Sequence, residues 1–381
     1  MTRQSFVNGQ VLTPEGFRRE ALVVEHGRIV GLSAAPSGDH IDLDGGFLLP
    51  GFIDVQVNGG GGVLFNDAPT VDGIAAIAAT HRRFGTTGLL PTLISDDLDV
   101  VDRAMRAVEA AIDAGVPGIL GIHLEGPFLS AARHGTHDAA KLRRLNAEGV
   151  ALLSSLKRGV TLVTLAPEAC ASDQIATLVA AGVVVSVGHT DADYDTVRAA
   201  FSAGATGVTH LYNAMSPFNH RAPGAVGAAL ENRTVYCGII VDGRHVHPAA
   251  LRVALAARPV DRLMLVTDAM PTVGTADKRF TLGGMTVEVK DGVCVNEHGV
   301  LAGSDLDMAT ALRNAVEMLG ISVETASKMA STSPAAFLGL TDQGAIRPGM
   351  AANLVWMDRD LAVRGVWIAG DGDKTGARGF A

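Results

Sequence analysis

GILGIHLE, residues 118–125, is a short apolar run that ends in a carboxylate. Seven further runs of the same form cross the middle of the chain: 52–58 (FIDVQVN), 87–94 (TGLLPTLI), 160–166 (VTLVTLA), 183–189 (VVVSVGH), 205–210 (ATGVTH), 236–242 (YCGIIVD) and 263–268 (LMLVTD). Their near-continuous apolar character predicts strands buried on both faces, as in a parallel sheet. Between them lie Ala-rich stretches with helical spacing, at 70–84, 98–114, 171–181 and 192–203. Eight such alternations predict an α/β fold, a TIM-like (β/α)₈ barrel.

The two ends read differently. Residues 4–49 hold short strands and turns (SFVNGQVLT, ALVVEHGRIVGLS, IDLDGGFLLP), and residues 342–381 do the same (ANLVWMD, VRGVWIAG). Neither piece carries enough apolar residues for its own core. The expectation is one small β-sandwich domain built from both termini, 1–50 with 342–381, and a barrel domain over 51–341. Residues 304–319 and 322–339 read as helices that close the barrel. A β-rich insertion follows Asp268, over 272–303, and its KDG turn predicts a hairpin.

Composition narrows the function classes. The chain has 381 residues, 48% hydrophobic, with a formal net charge of −9 and no basic run. Nucleic acid and anionic membranes are therefore poor partners. The N-terminus lacks the apolar core of a signal peptide, and no apolar stretch is long enough to span a bilayer. Cys170, Cys237 and Cys294 form neither a zinc spacing nor a disulfide framework, so a cytoplasmic protein is expected.

Among the residues that end these runs, Glu125, His189, His210 and Asp268 are the candidates to bind metal or move protons. A (β/α)₈ barrel brings the C-terminal ends of its strands to one rim, where its active site lies. One carboxylate and two imidazoles suit Zn²⁺ or a similar divalent ion and leave a position open for water. Such an ion lowers the pKa of its bound water toward neutrality. Asp268 is then the candidate to accept and pass on the proton. Each residue also has a plain structural reading. A strand-end His packs, Glu125 bonds a turn, and Asp268 caps the next segment. His123 shares a strand face with Glu125 and is a candidate second neighbour or a packed core residue, and Asp54 supports either a ligand or its own strand. The glycines of NGGGGV, from Asn58 onward, lack the Lys-Ser/Thr of a phosphate loop and read as a tight, close-approach turn.

LLPGFIDVQVNG, HLEGPF, GTH, VGHT, THLYNAM, DGRHV and LVTDAM, in this order, resemble the amidohydrolase superfamily and, within it, the N-acetylglucosamine-6-phosphate deacetylases. The resemblance covers essentially the whole chain. It implies a hydrolase that removes the acetyl group of an amino-sugar phosphate, in amino-sugar catabolism. It implies Glu125, His189 and His210 as ligands of a divalent metal (Zn, with Fe, Mn or Co as alternatives) and Asp268 as general base and acid. His137 matches a donor to the acetyl carbonyl. Asn213 and the backbone of Ala214 match sugar-phosphate contacts, and Arg221 and His245 match phosphate contacts. The family implies a homodimer in which Arg221 reaches the neighbouring active site. Where many superfamily members carry His-x-His after the first strand, this chain has Gln56-Val57-Asn58. One firmly bound metal is therefore expected, with a second, weaker site left open. Another amidohydrolase reaction, deamination or cyclic amide hydrolysis, would keep the same four central residues without needing Arg221 and His245. A metal-binding or sugar-phosphate-sensing protein is the reading outside catalysis. The segment 127–137, PFLSAARHGTH, is expected to form a loop over the site.

Overall fold

In the computed structural model, which describes residues 3–374, eight parallel strands follow one another around a barrel: β1 (Phe52–Val57), β2 (Thr86–Ile94), β3 (Gly121–Glu125), β4 (Val160–Leu165), β5 (Val184–Val187), β6 (Gly207–Val208), β7 (Tyr236–Ile239) and β8 (Leu263–Leu265). Each pairs with its sequence neighbour. The ring closes just beyond β8, where the Asp268 N–H donates to the Gln56 carbonyl and Ala269 bridges to Val57. The eight expected strands are all present, and β6 is the shortest.

The helices fall where the periodicity places them, at Val71–Arg82, Leu98–Asp113, Ser172–Ala180 and Tyr194–Ser202. Side chains that satisfy a free backbone N–H fix several starts: Thr70 accepts from Gly73, Asp193 from Thr196 and Asp307 from Thr310. The single helix expected over 322–339 is instead two short helices, Val323–Ser327 and Ser333–Phe337, joined by a π-helical turn at Lys328–Thr332. Pro334 has no N–H and its ring crowds the preceding turn, so the helix widens there. The Ser331 hydroxyl then donates to the Pro50 carbonyl, tying this turn to the strand that leads into the barrel.

The terminal strands form two sheets. Arg28–Ser33, Ala21–Glu25, Gln4–Val7 and Asp39–Asp42 make one. The other runs Asp371–Lys374, Val363–Ile368, Leu354–Met357, Phe47–Pro50, Gln10–Thr13 and Gly16–Arg18, so strands from both ends of the chain share it. Between them pack Phe6, Leu22, Ile41, Leu48, Leu354 and Trp367, with Phe6 edge-on to Trp367 at 4.8 Å. The expectation of a small β unit from both termini holds. The insertion is a four-stranded antiparallel sheet (Arg279–Leu282, Met285–Lys290, Val293–Asn296, Leu301–Ser304). Asp291 and Gly292, both at positive φ, make the two-residue hairpin turn that KDG predicts. Among the described residues no helix is long and apolar enough to cross a membrane, and all three cysteines are free and buried.

The barrel interior is not uniformly apolar. His123 lies between Thr92 (Nδ1 to Oγ1, 3.2 Å) and Thr164 (Nε2 to Oγ1, 2.7 Å), and Thr164 continues through Thr209 to Ser186. His123 is thus a satisfied core residue that bonds to hydroxyls, and burial lowers its pKa to about 4, which keeps it neutral. Asp54 accepts from the Thr267 hydroxyl at 2.6 Å and the Gln56 N–H at 3.2 Å, and so braces β1 against the segment after β8. Burial, only partly offset by these bonds, pushes its pKa up to about 7. The folded protein thus binds a proton that the unfolded chain, with an ordinary aspartate pKa of 3.8, has released. The Asp54 contribution to stability is full below about pH 4 and is lost as pH rises through about 7, by an amount on the order of a few kcal/mol. Asp54→Asn, which keeps the shape without the charge, is expected to flatten this slope. Urea unfolding of both proteins at pH 5 and pH 7.5 measures it, and parallel losses in the two proteins would remove Asp54 as the cause.

Candidate active site

Glu125 is the last residue of β3. His189 and His210 stand two residues beyond β5 and β6, and Asp268 three beyond β8. His189, His210 and Asp268 all have positive φ, at 46°, 33° and 54°. Non-glycine residues avoid this region, and holding one there costs about 1–3 kcal/mol. The turn directs each side chain over the barrel mouth.

His189 Nε2 lies 3.2 Å and His210 Nε2 3.0 Å from Glu125 Oε1, and the two imidazole nitrogens are 3.1 Å apart. All three side chains are buried. His189 Nδ1 donates to the Arg133 carbonyl at 2.8 Å, which turns the Nε2 lone pair toward the cluster. Lone pairs and a carboxylate converging in this way repel unless a cation neutralises them. Bonds of 2.0–2.1 Å to a tetrahedral ion imply ligand–ligand edges of about 3.3 Å, close to the spacing here. The donor set therefore fits a divalent metal. When protons on the two Nε2 atoms take the place of a cation, burial still raises the Glu125 pKa, but hydrogen bonds from the protonated His189 and His210 outweigh it and hold the carboxyl well below its usual range. Against the opposite pull of burial, Glu125 raises His210.

Asp268 stands beside this cluster, and two amides hold it. Asn58 Nδ2 donates to its Oδ1 at 2.7 Å and Gln56 Nε2 at 3.1 Å. Gln56 Nε2 also reaches both oxygens of Glu125, at 3.2 and 3.3 Å. Where a two-metal site would present imidazole lone pairs, this chain presents N–H donors to the carboxylates. Both anchors fall on Oδ1, so Oδ2 has no protein partner among the described residues. Burial, and then the Glu125 charge, push the Asp268 pKa up to about 6.

His137 packs edge-on against His189, with ring centroids 4.5 Å apart. Its Nδ1 accepts the Ser95 N–H at 3.2 Å and lies 2.8 Å from the Ser95 hydroxyl. The ring proton therefore sits on Nε2. Burial and the neighbouring His189 lower the His137 pKa to about 3, so the ring is a neutral donor.

Asn58, Glu125, His137, His189, His210 and Asp268 line one pocket of about 410 Å³, together with Asn213, Ala214 and His245. His245 Nδ1 lies 2.5 Å from Asp242 Oδ2. Arg221 is not part of the lining; it is exposed on the loop after Ser216, beside the exposed Phe218. The segment 127–137 does lie over the site, and it is fastened there: Ser130 N–H donates to the His189 carbonyl, and Arg133 pairs with Asp191 at 2.8 Å. The glycine loop after β1 is a close approach rather than a phosphate cradle, since a Cβ on Gly60 would stand 2.8 Å from His81 Nε2. Sequence reasoning missed Ser95, Arg133 and the donor role of Gln56. It also missed the apolar wall that the insertion supplies through Leu282, Leu301 and Ala302. Only the amides at 56 and 58 left a readable signal, as departures from His-x-His.

Residues 47–371 match the amidohydrolase family. The chain is 46% identical to an N-acetylgalactosamine-6-phosphate deacetylase of Shewanella sp. (strain ANA-3), over 92% of this chain and 91% of that one. The crystal structure of N-acetylglucosamine-6-phosphate deacetylase from Pasteurella multocida superposes with a TM-score of 0.95 at 35% identity, covering 98% of this chain and all (100%) of the other. A mutant of the Mycobacterium smegmatis deacetylase, solved in complex with N-acetyl-D-glucosamine-6-phosphate, gives a TM-score of 0.88 at 36% identity, covering 97% and 98%.

Metal binding at the three converging donors should stabilise the fold by mass action, about 2.7 kcal/mol at one hundred times the dissociation constant. Chelation is expected to lower the melting temperature and Zn²⁺ to restore it. In His189→Ala, metal content should fall well below that of the unchanged protein and Zn²⁺ should no longer shift the melt. Elemental analysis beside thermal melts checks both, and a full metal complement in the variant would remove His189 from the ligand set.

Proposed function

The chain belongs to the amidohydrolase family, in its branch of amino-sugar-6-phosphate N-deacetylases, and from that premise we propose that it hydrolyses N-acetyl-D-glucosamine 6-phosphate to D-glucosamine 6-phosphate and acetate. The observation that carries this reading is the free Oδ2 of Asp268 facing the same pocket as the Glu125, His189 and His210 cluster. A single divalent ion held by those three residues, with Zn²⁺ the best match to the donors, would polarise the amide carbonyl and lower the pKa of the attacking water.

The chain's own groups carry the rest. Asp268 takes a proton from the water as its oxygen bonds to the acetyl carbon. It returns that proton to the nitrogen as the C–N bond breaks, so the sugar leaves as the amine. A pKa near 6 suits a group that must both accept and donate close to neutral pH. Gln56 and Asn58 fix Oδ1 and leave Oδ2 to shuttle. His137, a neutral Nε2–H donor locked by Ser95, would bond the carbonyl oxygen as negative charge grows on it. Asn213 and the Ala214 backbone would hold the sugar, and His245 the phosphate. Arg221 would complete the phosphate site of a neighbouring copy in a homodimer, which accounts for an exposed Arg and Phe218 on one loop outside the chain's own pocket.

A second reading has a specific observation behind it. The Shewanella relative acts, by its name, on the galactose epimer. N-acetyl-D-galactosamine 6-phosphate is therefore the alternative substrate, differing only at C4. Acetate release from both phosphorylated epimers and from unphosphorylated N-acetylglucosamine separates these readings. Release from the glucosamine phosphate at a kcat/KM at least tenfold above the other two supports the proposal. Preference for the galactosamine phosphate would transfer the assignment to it, and equal turnover of the unphosphorylated sugar would refute the phosphate requirement. Asp268→Asn should keep its metal and its KM within a few-fold while kcat falls by about 10²–10⁴. Near-normal kcat in that variant would remove Asp268 from the proton transfer.

A further inference from the structure

The turn after β7 holds a buried acid–imidazole pair. Asp242 Oδ1 accepts the N–H groups of Arg244 and His245 at 2.8 and 2.9 Å, and its Oδ2 lies 2.5 Å from His245 Nδ1. Both side chains are only 5% exposed. Burial by itself raises the Asp242 pKa, but the hydrogen bond and charge of His245 overcome it and leave the carboxyl below its usual range. Asp242 is then an acceptor only, and the nitrogen facing it must carry a proton.

With Nδ1–H given to Asp242, Nε2 is the nitrogen left for the pocket. In a neutral ring Nε2 offers a lone pair, and so does every oxygen of a phosphate dianion. The two can meet only when the ring carries both protons. Of the other charged groups nearby, Asp268 interacts with His245 across the pocket, and Arg244 is exposed on the same turn. We propose that Asp242 is the positioning residue of the phosphate site. It fixes the His245 ring and supplies the buried negative charge that lets His245 meet the phosphate as an imidazolium, with an anion on each side. This rests on His245 being a phosphate contact, as proposed above.

The test is a double-mutant cycle read on KM. In Asp242→Asn the amide oxygen still takes the two backbone N–H groups and the amide NH2 donates to His245 Nδ1, so the turn is preserved and the ring becomes a neutral Nε2–H donor, while the charge is lost. Asp242→Asn is expected to raise KM for the phosphorylated sugar about tenfold, or 1.4 kcal/mol, with a smaller change in kcat. KM for the unphosphorylated sugar should move less than twofold. In a His245→Gln background, the same substitution should add less than twofold, because its effect runs through the ring. Thermal melts of all four proteins establish that each is folded at the assay temperature. If His245→Gln raises KM while Asp242→Asn does not, the positioning role is wrong and the phosphate contact stands. An equal Asp242→Asn effect with and without His245 would also overturn the proposal. If His245→Gln leaves KM for the phosphorylated sugar unchanged, the phosphate contact itself fails, and the role of Asp242 fails with it.

Discussion

Two carboxylates, the buried Glu125 and the half-buried Asp268, stand at one end of the barrel close enough for the charge of one to raise the pKa of the other. Isolated, such a pair would protonate or come apart, because ionised groups out of water need compensation. The site is organised around that need. His189 and His210 face Glu125, Asn58 faces Asp268, and Gln56 donates to both. The compensation is uneven, and the unevenness separates the two roles. Glu125, with two imidazoles, is driven toward permanent charge and suits a ligand. Asp268, with only neutral amides, is left near pKa 6 and suits proton transfer. Two acids on one rim thereby acquire different chemistry from their hydrogen-bond partners.

Most of the architecture was legible because its signals are local. Eight apolar runs name the strands, Ala-rich stretches name the helices, and the barrel rule converts four strand-end residues into one neighbourhood. The helix interrupted at Lys328–Thr332 departs from the expected continuous one because Pro334 acts on the turn before it, an effect that periodicity does not weigh. Ser95, Arg133 and Asp242 stayed hidden for another reason. Ser95 aims His137 through its hydroxyl and Arg133 aims His189 through its backbone carbonyl, and those two pairings exist only once loops from different strands meet, whereas Asp242 and His245 are three residues apart in one turn. Gln56 was visible as a departure from His-x-His but was read through what it lacks as a ligand. Its contribution is what its amide donates.

Asp268 shows how a strained residue is kept in place. Its positive φ would relax if the segment were free. On one side β1 grips it: the Asp268 N–H donates to Gln56, and the Asn58 and Gly59 N–H groups donate to the Ala269 carbonyl. On the other side the last strand of the insertion grips it: Ser304 N–H donates to the Asp268 carbonyl and Met270 N–H to the Ser304 carbonyl. The Ser304 hydroxyl adds a bond to the Thr267 carbonyl at 2.6 Å. This approach needs Gly303, where a Cβ would stand 2.5 Å from Met270 Cγ and 2.9 Å from the Asp268 carbonyl oxygen. The insertion is therefore structural to the site. It clamps the Asp268 segment, and through Leu282, Leu301 and Ala302 it adds apolar side chains to the lining of the same pocket.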